Sequence, residues 1–490
     1  SASSEHRKYL PAFKPVKTFY KIFQSTFRGM GGKMSENSSQ LKRTINWKQG
    51  MLIALGVPIL ILPSIGYTAG YLWGFSIVLW ILSVLQGFIQ NSAFGEMTTV
   101  FPDATGLPGC AQKVFSKEND TDSKYDRGKF IGAFCAWCYW FAWTPVVAIF
   151  TLTIGAYIRG FVPDLAEAGI WLDLLLGLII VSGMLLVGAR GLTGGSATAL
   201  ILALISLVPL VIILIAPMIT GHFEFSNITS GGSGLLPTGW DWKSGDLVIF
   251  LGLMAMAQWS ACAWETAAVY GPEYKEPKSD VPKALFSCGI ICLMLYALTQ
   301  ISVVGTLGIP GIEGALVDPL NPMAQLVFGD AGRVVAMIML ICAMLMIIQT
   351  GFLGSSRTLH SMSMEGNLPK WFSKTNARGN PVNAMVFVSS FNLILITVNS
   401  PVAVLAASSL GYTLAVGIAL AAYYKSKTSE RFKHLERPFA MPNWYRFVAL
   451  GMVIYEIGIL LPCLVYLNIT DYDAVSVIIG VIILTAFVPI

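Results

Sequence analysis

The chain has 490 residues, of which 55% are hydrophobic and only 12% are charged, and its formal net charge at pH 7 is +5. A soluble domain usually carries about 25% charged residues, so this chain lacks the polar side chains that would cover a water-soluble globule. Its apolar residues form continuous runs long enough to cross about 30 Å of hydrocarbon, which favours helices over the alternating strands of a β-barrel. The composition therefore predicts an all-α membrane protein.

Twelve apolar stretches predict twelve transmembrane helices, which we call segments 1 to 12. Their predicted bounds are 45–67, 72–101, 130–161, 171–187, 196–219, 246–270, 283–307, 331–358, 384–398, 402–424, 445–467 and 474–490. Residues 220–245 are predicted to form an extracellular loop, and residues 425–444 a cytoplasmic loop.

The positively charged residues predict the orientation, because short cytoplasmic loops carry an excess of Lys and Arg. With the N-terminus inside, only Arg159, Lys243 and Arg333 fall outside, which leaves 29 of the 32 Lys and Arg residues inside. We therefore predict a multi-pass protein of the cell membrane with both termini in the cytoplasm.

Residues 1–44 precede the first segment and form a basic cytoplasmic arm. As a helix, the arm would carry one apolar face and one basic face, formed by Phe13, Val16, Phe19, Tyr20, Phe23 and Phe27 and by Lys14, Lys17, Lys21 and Arg28. Such a helix would lie on the anionic lipids of the inner leaflet. A disordered basic tail is the alternative interpretation.

The residues that usually build metal or catalytic centres are scattered. Cys135 and Cys138 form a Cys-x-x-Cys pair inside an apolar run, but no second pair or histidine cluster accompanies it. We interpret these cysteines as small buried residues and expect no metal or other cofactor. No nucleophile–base set indicates an enzyme, and nothing indicates a nucleic-acid partner. The oligomeric state stays open.

Two segments carry interruptions that a simple membrane anchor does not need. Segment 1 contains Gly56-Val57-Pro58 at its middle, where proline removes a backbone donor. Segment 6 contains Glu265 among small residues, and an ionisable side chain inside a bilayer indicates function. Segments 1 and 6 are the first helices of two five-helix halves, residues 45–219 and 246–424. Interruptions at matching positions predict a transport site at the membrane midplane, although either feature alone could be structural.

Four motifs, in order along the chain, are similar to those of one family. The loop after segment 6 reads Gly-Pro-Glu-Tyr-Lys-Glu-Pro-Lys-Ser-Asp-Val-Pro-Lys-Ala (271–284). After segment 8 come Ser356-Arg357, then Met-Glu-Gly-Asn-Leu-Pro (364–369) and Asn-Pro-Val-Asn-Ala (380–384), and Glu-Arg-Pro-Phe (436–439) precedes segment 11. From about residue 45 to 470, the chain resembles the amino acid–polyamine–organocation (APC) transporter superfamily.

This resemblance implies a LeuT-type fold of two inverted five-helix repeats with broken first and sixth helices. It also implies a secondary active transporter, either symporter or exchanger, that moves amino acids or related amines by alternating access. A polyamine or other organic-cation transporter and a non-transporting membrane sensor of the same fold are the alternatives.

The resemblance also implies which residues would bind substrate at the two breaks, namely Leu55, Gly56, Val57, Pro58, Ile59, Gln258, Trp259, Cys262, Ala263 and Glu265. Pro58 stands where the family usually has glycine, so one amide donor is missing while Val57 and Ile59 keep theirs. Trp259 corresponds to a lid over the substrate, and Glu265 to a proton-linked switch or an ammonium partner.

Further residues were assigned from position and residue type. Trp137 and Trp140, with Trp143 at the same spacing, form either a cage for a cation or a packing stripe. Glu96, which ends segment 2, resembles the family's glutamate before the following loop, and this resemblance implies a role in a cytoplasmic gate pair. The hydroxyls of Ser355 and Ser356 are candidate sodium ligands, unless they bond back to their own helix. Glu456 in segment 11 lies outside both repeats, and we interpret it as structural.

Overall fold

A computed structural model describes residues 42–116, 127–229, 234–316, 319–397, 401–471 and 474–487. These residues form an all-helical bundle, and the one β-bridge found in these ranges joins Ile45 to Tyr274. The predicted helix of the basic arm lies outside the described residues.

Segment 1 is divided into the helix Trp47–Ala54, the 3-10 segment Val57–Ser64 and the helix Ile65–Leu72. The other α-helices are Ser76–Val100, Gly106–Phe115, Arg127–Trp143, Val146–Phe161, Gly169–Arg190, Leu192–Thr220, Phe225–Ile228, Ser244–Ala261, Thr266–Val269, Pro277–Glu313, Leu320–Met364, Val382–Ile396, Pro401–Thr428, Tyr445–Val453, Leu461–Asp471 and Ala474–Thr485. A π-helical turn, Ile454–Leu460, connects the two parts of segment 11.

Nine helices in the described ranges are long and apolar enough to cross a membrane. They correspond to predicted segments 2 to 8, 10 and 11. The remaining three predicted segments are also helical but shorter, because segment 1 is divided into three pieces, segment 9 spans 15 residues and segment 12 spans 12.

Burial divides the bundle into an inner and an outer set of helices. In segments 3, 6 and 10, about three quarters of the apolar stretch is buried, whereas most of segments 4, 5 and 11 is not. Large apolar side chains such as Ile179, Leu204 and Ile454 are exposed on this outer set. Surfaces of this kind suit lipid rather than water. Segment 6, which carries the second interruption, belongs to the inner set.

One helix, Gly106–Phe115, lies outside the twelve predicted segments. It packs against segments 3 and 10 and buries Leu107, Cys110, Ala111 and Val114, which recur at the spacing of one helix face. It is too short for a membrane-spanning pattern, so the sequence analysis did not separate it from the loop that follows segment 2.

Candidate functional site

The interruptions of segments 1 and 6 lie side by side. The first helix of segment 1 starts from a capping box in which Asn46 and Gln49 bond each other's backbone N–H groups at 3.1 Å. It ends at Ala54, and the chain resumes as a 3-10 segment with Pro58 in its first turn, where proline removes no internal hydrogen bond. Segment 6 breaks after Ala261 and continues as the 3-10 turn Ala263–Glu265.

Tyr296 of segment 7 connects the two interruptions. Its hydroxyl oxygen lies 2.8 Å from the carbonyl oxygen of Val57 and 2.9 Å from that of Ser260. Because a hydroxyl carries one hydrogen, it satisfies only one of these carbonyls at a time. Its ring stacks on Trp80, with the ring centres 5.2 Å apart. Sequence analysis did not identify Tyr296, since one tyrosine in an apolar run carries no distinguishing signal.

Other backbone groups at the interruptions are bonded by neighbouring helices. The Thr350 hydroxyl donates to the carbonyl oxygen of Ile53 at 2.7 Å, and the Asn91 amide donates to that of Cys262 at 3.2 Å. Away from water, an unpaired carbonyl costs several kcal/mol, so these side chains make the irregular backbone tolerable inside the bundle. Both breaks are therefore built into the protein interior.

Gly56 lets segment 1 approach segment 8 closely. A Cβ atom at this position would lie 2.6 Å from the Thr350 hydroxyl oxygen and 2.8 Å from the Met346 carbonyl oxygen. The Met346 contact is with backbone, which cannot rotate away. The glycine is therefore required by close packing, while its backbone angles are those of an ordinary helical residue.

We expect Gly56→Ala to lower stability by about 1–3 kcal/mol through overpacking, and to reduce uptake together with it. Thermal unfolding of the purified protein measures the first effect. Gly354→Ala is the matched control, because a Cβ there would meet no atom within 4 Å. Equal melting temperatures of the two variants would show that the close approach at Gly56 is not rigid.

Glu265 is a buried carboxylate beside the second break. The hydroxyl of Tyr139 in segment 3 lies 3.3 Å from one carboxylate oxygen, and that of Tyr412 in segment 10 lies 3.1 Å from the other. Within the described ranges, Glu265 forms no ion pair with Lys, Arg or His. Two neutral hydroxyls compensate a buried charge incompletely, so the site favours a cation or a proton.

Aromatic rings adjoin this carboxylate. The rings of Trp259 and Trp143 lie 6.5 Å apart at 25°, and the Trp259 indole N–H donates to the carbonyl oxygen of Ala142 at 3.4 Å. Tyr139 packs on Trp143 with the ring centres 6.4 Å apart. Tyr139, Tyr412 and Trp143 therefore line Glu265 with aromatic side chains, and Trp259 packs on Trp143.

Trp137 and Trp140 lie elsewhere. The Trp137 indole N–H donates to the carbonyl oxygen of Ile483 in segment 12 at 2.9 Å, and Trp140 packs on Phe391 of segment 9 at 5.2 Å. The reason is helical geometry, because six residues along a helix turn the side-chain direction by about 240° from Trp137 to Trp143. The structure thus brings Trp143, and not Trp137 or Trp140, to the second break.

Two more predicted residues of segment 6 face segment 2. The Cys262 thiol lies 3.2 Å from the carbonyl oxygen of Ser83, and the Gln258 amide bonds Gln86 and Glu456. Of the other predicted substrate residues, Leu55, Val57 and Ala263 are buried. For Pro58 and Ile59 the structure describes the backbone of the 3-10 segment.

The candidate sodium ligands bond back to their own helix. The Ser355 hydroxyl donates to the carbonyl oxygen of Gly351 at 2.7 Å, and the Ser356 hydroxyl to that of Phe352 at 2.6 Å. In segment 8, the hydroxyl that reaches segment 1 is instead that of Thr350. In the part of the chain that the structure describes, no group of three or more His, Cys, Asp or Glu residues could hold a metal ion.

Where segments 6 and 8 end, Glu273 and Arg357 form a bidentate ion pair. Their side chains are 3% and 0% exposed, and the guanidinium also lies 5.7 Å from the centre of the Tyr270 ring. Both residues fall in the quoted motifs, but their pairing was not predicted. Nearby, outside the membrane segments, burial raises the pKa of Glu365 to about 7, an effect opposed by Lys113 and Lys129.

Glu96 joins segment 2 to the region after segment 10. It accepts hydrogen bonds from the hydroxyl of Tyr423 at 2.8 Å and the backbone N–H of Met441 at 2.8 Å. Lys427 and Arg437 each lie 2.7 Å from the same carboxylate oxygen. Arg437 belongs to the fourth motif. The structure thus brings Glu96, the predicted gate residue, together with two cations, and the Glu96 side chain is completely buried.

A bundle of long apolar helices, two of which break side by side around a buried carboxylate, defines a multi-pass membrane protein. The profile of the amino acid permease family matches residues 45–488. The chain therefore belongs to the amino acid permease family, within the APC superfamily that the motifs predicted, and the relatives of this family are permeases rather than enzymes.

Individual relatives agree with this assignment. The chain is 26% identical to the lysine-specific permease LysP of Lactococcus lactis subsp. cremoris over 380 residues, covering 74% of this chain and 70% of LysP. It is 25% identical to the uncharacterized amino acid permease YecA of Bacillus subtilis over 364 residues, covering 73% and 78%. The histidine permease HisP of Lactococcus lactis is 24% identical over 372 residues, covering 72% of each chain.

A solved structure shares the fold. The crystal structure of the Eremococcus coleocola manganese transporter, in complex with an aromatic bis-isothiourea substituted compound, aligns with a TM-score of 0.55 and covers 93% of this chain and 97% of that one. At 13% sequence identity, this likeness concerns the fold alone.

Proposed function

We propose that the chain is a secondary active transporter of amino acids or related amines, a symporter or an exchanger that works by alternating access. The observation that carries this proposal is the pair of helix interruptions bridged by Tyr296, with Glu265 beside them. LysP and HisP, which by name transport lysine and histidine, support an amino acid as substrate.

The chemistry of the interruptions suits both ends of an amino acid. Since the Tyr296 hydroxyl satisfies either Val57 or Ser260, the other carbonyl oxygen can accept a hydrogen bond from the substrate's ammonium group. The carboxylate would then meet the amides at the start of the 3-10 segment, where Val57 and Ile59 have backbone N–H groups and Pro58 has none. Because Pro58 has no backbone N–H, this carboxylate site has one hydrogen-bond donor fewer than an uninterrupted run of amides.

The proposal includes the architecture that the resemblance implies. It consists of twelve transmembrane segments with cytoplasmic termini, and of two inverted repeats formed by residues 45–219 and 246–424. In this scheme Trp259 is the lid over the substrate. The clusters around Glu96 and the Glu273–Arg357 pair hold the cytoplasmic ends of the moving helices together in one state and release them in the other.

A polyamine or other organic cation is a second candidate substrate. The observation that favours it is the aromatic surround of Glu265, whose carboxylate has hydroxyl partners and no ion pair among the described residues. A cation over aromatic faces is attracted by their ring quadrupoles. An amine without a carboxylate would bind near Glu265 and make no use of the backbone amides at the first break.

Thermal-shift measurements on the purified protein, followed by uptake into proteoliposomes, test the proposal. Amino acids, their decarboxylated amines and polyamines are compared at equal concentration, because ligand stabilisation grows with concentration over dissociation constant. We expect an amino acid to raise the melting temperature and to accumulate in the vesicles. Stronger stabilisation by the matching amine would favour the organic-cation alternative. Binding without accumulation would indicate a sensor. If no compound raised the melting temperature, both the amino-acid and the organic-cation proposals would be refuted.

Coupling and membrane contacts stay predictions that the same vesicles can test. Uptake in sodium-free buffer tests Ser355 and Ser356 as sodium ligands. Vesicles with and without anionic lipid test whether the basic arm of residues 1–44 binds the inner leaflet, and labelling of the termini from each side tests the orientation.

A further inference from the structure

A second buried carboxylate, Glu456, lies in segment 11 and accepts its hydrogen bonds from glutamine amides rather than from tyrosines. Glu456 is 0% exposed and belongs to the π-helical turn Ile454–Leu460, in which the Leu461 N–H bonds the Glu456 carbonyl oxygen five residues back. A π-helical turn is uncommon and occurs often at functional sites. The position of Glu456 outside both repeats favours a structural role, but the side chains around it indicate more.

Three glutamine amides surround this carboxylate. Gln86 and Gln90 of segment 2 both donate to one of its oxygens, Gln86 at 3.0 Å, and Gln258 of segment 6 donates to the other at 2.9 Å. Gln258 also donates to the Thr413 hydroxyl at 3.2 Å and accepts from Gln86 at 2.6 Å and Gln90 at 3.4 Å. This glutamine cluster, Gln86, Gln90, Gln258, Thr413 and Glu456, joins segments 2, 6, 10 and 11.

The glutamine cluster has more acceptors than donors. Each of the three amides uses both N–H hydrogens, yet the amide oxygens of Gln86 and Gln90 are buried and have no donor among the described residues. Leaving a buried acceptor unpaired is unfavourable, because its hydrogen bonds to water are lost and not replaced. One added proton would therefore supply a donor for one of these two oxygens.

No positive charge in the described ranges pairs with Glu456. The titratable groups that face it are Cys262 of segment 6, Tyr412 of segment 10 and Tyr455 beside it, while segment 2 contributes only amides. Glu265 acts on the same Cys262 and Tyr412. An ionised Glu456 would thus be an uncompensated buried charge near a second carboxylate, which protonation removes.

We propose that Glu456 is a proton-binding site, separate from Glu265, whose occupancy is linked to the position of the second helix break. A proton from water forms an O–H bond with a Glu456 carboxylate oxygen and neutralises it, and no electron is transferred. Reversal of the Gln90 amide, which exchanges two atoms of nearly equal size, presents the Gln90 oxygen as acceptor for this hydrogen.

The link to the helix break runs through Gln258. Its backbone carbonyl oxygen accepts the hydrogen bond of the Cys262 N–H at 2.9 Å, which is the last helical bond before the interruption. Its side chain bonds Glu456. A proton that rearranges the glutamine cluster therefore acts directly on the end of this helix. The link between proton binding and the helix break rests on the proposed function, whereas proton binding by Glu456 does not.

Infrared difference spectra of the purified protein, recorded between mildly acidic and mildly alkaline pH, test the inference. We expect a carbonyl band of a protonated carboxylic acid that titrates with pH, is lost in Glu456→Gln and is retained in Glu265→Gln. Glu436→Gln is the surface control and leaves the band intact. If every titrating band of the unmodified protein persists in Glu456→Gln, or if no band titrates, the assignment is overturned.

A second variant keeps the test decisive if Glu456→Gln does not fold. In Gln90→Leu the acid loses its acceptor, so its carbonyl band shifts to higher frequency without disappearing. An unshifted band would contradict the proposed hydrogen bond. Because these spectra require neither substrate nor vesicles, a failed uptake assay leaves the proton site standing, and a missing band leaves the transport proposal standing.

Discussion

Replacing Glu265 by glutamine is expected to lower the uptake of a cationic or zwitterionic amine by at least tenfold, equivalent to about 1.4 kcal/mol. Glutamine keeps the size of the side chain and can still bond the hydroxyls of Tyr139 and Tyr412, so packing changes little. What is lost is the one charge at the second break. A buried charge is worth more than an exposed one because water does not screen it.

Initial uptake rates in proteoliposomes at several pH values measure this effect. If Glu265 carries the coupling proton, the pH dependence of uptake also flattens in the glutamine variant. The control is Glu436→Gln, since Glu436 is exposed and forms its ion pair with Lys278 on the surface. Uptake within twofold of the unmodified protein would remove Glu265 from substrate binding, and an unchanged pH profile would remove it from coupling.

The sequence predicted the helices of the fold because each membrane segment is a continuous run of apolar residues. Apolar length and charge placement need no knowledge of partners, and helices form at all twelve predicted positions. The breaks were predictable for a related reason. A proline or a glutamate in an apolar helix contradicts its surroundings, so Pro58 and Glu265 were conspicuous in the sequence alone.

The partners of these residues could not be predicted in the same way. Tyr412 bonds Glu265 across 147 positions of sequence, and Tyr296 bonds Val57 across 239. Nothing in a single sequence distinguishes these tyrosines from others that pack in apolar helices. The sequence left the tryptophans of segment 3 between a cation cage and a packing stripe, because a spacing of three drifts around the helix and separates Trp137 from Trp143.

The glutamine cluster illustrates the same limit for a whole network. Gln86 and Gln90 share one face of segment 2, but which face is buried follows only from the packing of segments 6 and 11. Glu456 was visible as an anomaly, and its position outside the repeats suggested a structural role. The unpaired amide oxygens, which argue for a proton, appear only when all four helices are in place.

Breaking the Glu273–Arg357 pair on one side is expected to have the largest effect on stability. In Arg357→Met, the Glu273 carboxylate stays buried without its partner, which costs about 3–5 kcal/mol. Thermal unfolding in detergent measures the loss. The exposed pair Lys278–Glu436 also joins distant parts of the chain, so Lys278→Met is the matched control and should change the melting temperature little.

The double variant Glu273→Met, Arg357→Met separates stability from movement. Two apolar side chains of similar volume leave no buried charge, so the double variant should regain most of the stability lost in the single one. If the pair serves to close the cytoplasmic ends of segments 6 and 8, uptake should not return with it, because apolar contacts cannot replace a directed bidentate bond between moving helices. Recovery of both stability and uptake would make the pair a structural contact only. No recovery of stability would mean that the two side chains do not act as a unit.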